Sequence, residues 1–116
     1  MSKSPLSEFI SLPNSSSSIT VSIRVGNEQM GTITFNVSGE SMIQKEGSLS
    51  YTESDSNNLS GKSFDFNIVC TDVNVNSDNL VVTVDLIGVD NSGPWSMSKK
   101  VSSGGTYQFF GSIEFM

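Results

Sequence analysis

The chain has 116 residues and a formal net charge of −6 at pH 7, with no histidine, no alanine, and Ser, Thr and Asn at roughly a third of its positions. Lacking histidine, it lacks the commonest general acid/base near neutral pH and the commonest metal ligand. The acidic balance, with a sequence pI of about 4.3, repels phosphate backbones and anionic lipid, so nucleic acid is not an expected partner.

Residues 1–18 differ in pattern from the rest. Ser4-Pro5 followed by Leu6, Phe9 and Ile10 has helix-start chemistry and an i, i+3, i+4 stripe that Pro13 ends. One or two helical turns are expected there, followed by a Ser-rich connector over residues 14–18. Four large apolar side chains, Leu6, Phe9, Ile10 and Leu12, would be a liability on a free tail. The segment therefore reads as an arm that docks on this domain or on a neighbouring copy.

From Ile19 onward the period is two. Ile19, Val21, Ile23 and Val25 alternate with Thr20, Ser22 and Arg24, and Ile33, Phe35 and Val37 resume the pattern after the loop between Gly26 and Gly31. These two runs read as a hairpin. A weaker strand is expected around Met42-Ile43 and another through Leu49 and Tyr51, closed by a polar turn over residues 55–61. Phe64, Phe66, Ile68 and Cys70 then face inward opposite Asp65 and Asn67. Residues 80–87 are apolar on both faces, with Val81 and Ile87 outward, which marks a central, covered or interfacial strand. Trp95, Met97 and Val101 outline the next strand, and Tyr107, Phe109, Ile113 and Phe115 the last. Gly111 interrupts that last run, where a bulge or a close backbone approach is expected.

Seven or eight short strands at this spacing predict an all-β fold, an antiparallel β-sandwich of Ig-like or jelly-roll-like type over residues 19–116, with a small β-barrel as the alternative. Cys70 is the only cysteine and falls in a core phase, so it reads as a buried small hydrophobe rather than a nucleophile. No secretory leader or membrane span is legible, which predicts a cytoplasmic product as synthesised, or one exported without a cleaved signal. The N-x-S/T triplets at Asn14, Asn36 and Asn58 are expected by chance in such a composition.

Candidate chemistry is sparse. Asp72, Asn74, Asn76 and Asp78 place oxygen ligands at alternate positions, as a calcium loop begins. Ser77 stands where the turn glycine belongs, however, and Thr83 where a bidentate Glu would close the cage. The simpler reading has Val73 and Val75 inward and the polar residues in solvent, so no metal or other cofactor is expected. No catalytic residue is expected either, since carboxylates lie singly, no G-x-S-x-G occurs and no phosphate loop is present.

Two binding readings remain. One is a non-catalytic sandwich working through protein–protein contact, a self-assembling structural subunit with a docking arm. Its contacts would come from Leu6, Phe9, Ile10, Leu12, Val81, Ile87 and Phe110, because Phe109 and Phe110 must face opposite sides of a strand. The alternative is a carbohydrate-binding module with Trp95 as a sugar platform and Asp90, Asn91 and Tyr107 beside it, with calcium assistance from the loop above.

Overall fold

The computed structural model describes residues 6–12, 17–26, 29–38, 40, 42–73, 78–89 and 94–115. In chain order the strands are β1 (Leu6–Ile10), β2 (Ile19–Val25), β3 (Met30–Val37), β4 (Ile43–Glu46), β5 (Ser48–Glu53), β6 (Ser63–Thr71), β7 (Asn79–Ile87), β8 (Trp95–Lys100) and β9 (Thr106–Phe115), with one 3-10 turn at Ser56–Leu59. They form a five-stranded sheet in the order β1-β9-β6-β3-β4 and a four-stranded sheet in the order β5-β2-β7-β8. The two sheets pack face to face as a sandwich, and neither closes into a barrel.

Alternation sets which side chains meet between the layers. Ile19, Val21 and Ile23 of β2 and Leu80, Val82, Val84 and Leu86 of β7 face Ile33, Phe35 and Val37 of β3 and Phe64, Phe66, Ile68 and Cys70 of β6, all buried. Phe64 is the hub of the aromatic cluster, with ring centroids 5.2 Å from Phe35, 5.9 Å from Tyr51 and 4.8 Å from Phe115. Leu59, in the polar turn over residues 55–61, is buried as well. Burial of side chains of this kind contributes about 1.5–3 kcal/mol each.

Several sequence expectations are corrected. The N-terminal segment forms a strand and not a helical turn, pairing in parallel with β9 from Leu6 opposite Gly111 to Ile10 opposite Phe115. A single helical turn has no partner for its backbone groups, whereas the edge of β9 offers a ready ladder. Leu6 and Ile10 satisfy either period, being four apart, and both are buried in this chain's own core. That strand raises the count among the described residues to nine.

The β2–β3 hairpin does not form either, because β2 and β3 belong to different sheets. Their connection is a corner stitched to a second corner. Val25 N–H donates to the Gly47 carbonyl (2.9 Å), and Gly47 N–H donates to that of Gly31 (2.9 Å). Gly47, at φ 79°, is the single residue between β4 and β5, where the chain again changes sheet.

Gly111 introduces no bulge, since the β6–β9 register runs unbroken from Ser63 opposite Glu114 to Thr71 opposite Thr106. It permits a close approach instead. A Cβ built there would lie 2.2 Å from Cζ of Phe66, so the ring occupies the space that a side chain would need.

Candidate functional site

The two outer faces of the sandwich differ. Outward positions of the four-stranded sheet are largely hydroxylic, with Thr20 and Thr52 bonded to each other at 2.8 Å and Arg24 bridging to Asp85 at 3.1 Å. Among the described residues seven large apolar side chains are exposed, and Phe9, Met30, Val69 and Phe110 point outward from the five-stranded sheet, with Met42 beside them.

This arrangement separates the expected contact residues. Phe110 lies on β9 in the five-stranded sheet, whereas Val81 and Ile87 lie on β7 in the other. They therefore face opposite sides of the molecule and make no common patch. Alternation showed that each side chain left the core, but nothing in it says which sheet a strand joins. Of the arm residues, Leu6 and Ile10 belong to the core, Leu12 packs half-buried against it, and Phe9 is 64% exposed. A strand splits these residues between two faces, whereas a helix would have grouped them.

The residues of the expected sugar platform are also separated. Trp95 is partly buried against the core at the start of β8. Tyr107 stacks edge-on with Phe109 at 4.9 Å between centroids, under the ammonium of Lys99, which sits 5.4 Å from its centroid. Four residues of extended strand, about 13 Å, separate Trp95 from Lys99. The two aromatic rings thus serve opposite ends of β8. Asp90 and Asn91 lie outside the described residues.

The calcium candidates divide similarly. Asn74 and Asn76 fall outside the described residues and Asp78 is exposed, but Asp72 is only 4% exposed. The inside/outside phase is the reverse of the expected one, with Val73 46% exposed. The cause lies in β6, whose inward even-numbered positions continue through Cys70 to Asp72.

Asp72 is held by a residue that sequence reasoning missed. Gln29, itself buried, donates from Nε2 to Asp72 Oδ1 (2.9 Å) and to the Asn79 carbonyl (3.3 Å), and its Oε1 accepts from Val73 N–H (2.7 Å). The other Asp72 carboxylate oxygen is buried and has no partner among the described residues. Backbone bonds between Asp72 and Gly105, Gly104 and Asp72, and Val101 and Asp78 complete a junction of three loops at one end of the sandwich. Among the described residues no group of three metal-ligating side chains is assembled.

Cys70 is fully buried, and burial pushes its thiol up to about 11. A thiol in that environment is a poor nucleophile.

The remaining geometry of note is a hollow of about 450 Å³ on the outer face of the five-stranded sheet, between Phe110 and Met42. Its floor crosses β3, β6 and β9, where Asn36, Asp65 and Ser112 share one cross-strand rung and Thr34, Asn67 and Phe110 the next. Asp65 is oriented from both sides, by Ser63 Oγ donating to Oδ2 (3.0 Å) and Ser112 Oγ donating to Oδ1 (2.9 Å). Apart from Asn36, which heads an N-x-S/T triplet, none of these polar residues stands out in the sequence, because each is an ordinary outward position of its strand.

Comparison of the chain with models of protein families, with curated proteins and with solved structures finds no match. A sandwich fold by itself hosts many activities, so function is read from these surfaces alone.

Proposed function

We propose that the protein is a non-catalytic β-sandwich that acts through protein–protein contact, associating with further copies of itself by strand addition at the edge of β1, which is unpaired among the described residues. The observation that carries this reading is the character of that edge. Exposed edge strands invite pairing unless charge or cover blocks it. Of the four edge strands, β4 carries Lys45 and Glu46, and β8 ends in Lys99 and Lys100. The edge strand β5 turns only Ser48, Ser50 and Thr52 outward. Among the described residues β1 carries one charge, Glu8, but no lysine, and of the four edges it alone presents a large exposed apolar side chain, Phe9. Backbone hydrogen bonds between two such strands supply affinity, and burial of Phe9 adds an apolar contribution.

The absence of histidine and the buried, protonated Cys70 thiol support the non-catalytic part of the reading. An edge contact of five residues is small, so a weak, concentration-dependent dimer is expected. Sedimentation velocity over a hundredfold concentration range tests it. The wild-type protein should shift toward dimer as concentration rises, and Phe9→Lys, which places a charge on the edge, should remain monomeric. A wild-type chain that stays monomeric throughout, or a Phe9→Lys variant that dimerises equally well, overturns the proposal.

A further inference from the structure

We propose that the hollow on the outer face of the five-stranded sheet is a binding site for an uncharged pyranose sugar. The inference rests on the face of the sheet and is independent of pairing at the β1 edge. Small-molecule sites are largely apolar and equipped with a few placed polar groups, and this hollow, shallow and open to solvent, has both. Its volume of about 450 Å³ lies within the usual range for such sites. Phe110, 52% exposed, and Met42, 71% exposed, supply apolar surface on either side.

The polar groups are spaced by the sheet itself. Neighbouring strands stand about 4.8 Å apart, and successive outward residues of one strand about 6.7 Å apart. Asn36, Asp65, Thr34 and Asn67 therefore occupy the corners of a cell comparable in size to a sugar ring with its hydroxyls. Their states suit the task. The Asp65 carboxylate is fixed by two serine hydroxyls, and Ser63 is itself held by Ser38, whose Oγ lies 2.9 Å from that of Ser63. Among the described residues the side chains of Thr34, Asn36 and Asn67 have no partner, so two amides and a hydroxyl are available to donate and accept.

A pyranose offers the complementary pair of surfaces, an apolar C–H face for Phe110 and Met42 and a rim of hydroxyls for the amides and for the remaining lone pairs of Asp65. The charge of the site selects further. Among the described residues Asp65 is the only charged one in the lining, and the chain carries a net −6, so sialylated or sulfated sugars are repelled and neutral ones are not. Because the groups stand on paired strands, little backbone freedom is lost on binding.

The test uses the full chain on an array of neutral and acidic glycans, followed by NMR titration with neutral methyl pyranosides. Binding to neutral glycans is expected, with Phe110→Ala and Asn67→Ala each lowering affinity about tenfold or more and Ile87→Ser, on the opposite face, leaving it unchanged. Both site variants replace exposed or half-exposed positions, and a retained β-sheet circular dichroism spectrum confirms the fold. Absence of neutral-glycan binding at millimolar sugar, preference for acidic glycans, or unchanged binding in both site variants overturns the proposal.

Discussion

Gly111 shows how one missing side chain shapes the packing of two neighbouring strands of one sheet. Its missing side chain leaves the space into which the Phe66 ring fits, on the strand directly opposite. Gly111→Ala should destabilise the protein by about 1–3 kcal/mol through overpacking, read as a lower urea midpoint with unchanged slope. Combining it with Phe66→Leu should cost less than the sum of the two, because the smaller side chain vacates the contested space. Cys70 offers a second residue-scale expectation. An unfolded thiol ionises near pH 9 and the buried one only at about 11, so the folded state holds this proton more tightly. Its stabilising contribution is complete below pH 9 and is lost as pH rises toward 11. In chemical denaturation across that window, the wild-type protein should lose more stability than Cys70→Val.

At the scale of elements, β1 is the instructive case. Leu6, Phe9 and Ile10 fit a helical stripe, yet Leu6 and Ile10 are also two strand periods apart, and five residues cannot discriminate between the two periods. The decision came from the open edge of β9, which is far away in sequence. Leu6→Ala and Ile10→Ala should each cost about 2–5 kcal/mol, while Phe9→Ala should change stability little, within about 0.5 kcal/mol. A helical arm would have made all three comparable, and thermal or urea denaturation separates the cases. The same limit explains the other departures. The inward faces of β2, β3, β6 and β7 were legible because each alternates over at least three apolar residues. Alternation is blind to sheet membership, so by sequence alone the β2–β3 corner reads as a hairpin and Phe110 is grouped with Val81 and Ile87. The hollow was illegible for a related reason. Thr34, Asn36, Asp65 and Asn67 become neighbours only through the register of β3 on β6.

Over the whole molecule, the sandwich is tied together most economically at the end where Gln29 meets Asp72. Three connections converge there, and one buried amide serves the Asp72 carboxylate, the Asn79 carbonyl and the Val73 N–H. Gln29→Ala leaves that carboxylate buried with neither oxygen bonded among the described residues, and a loss of about 2–3 kcal/mol is expected. Hydrogen exchange should localise the effect, with amides near residues 72–73 and 101–105 losing protection before those in the centres of β3 and β6.

The parallel pairing of β1 with β9 has a mechanical consequence. Because the first and last strands lie side by side and run the same way, tension applied between the leading end of β1 and the trailing end of β9 pulls the two strands along their shared axis in opposite directions. The ladder from Leu6–Gly111 to Ile10–Phe115 is then loaded in shear, its hydrogen bonds bearing the force together rather than opening one after another.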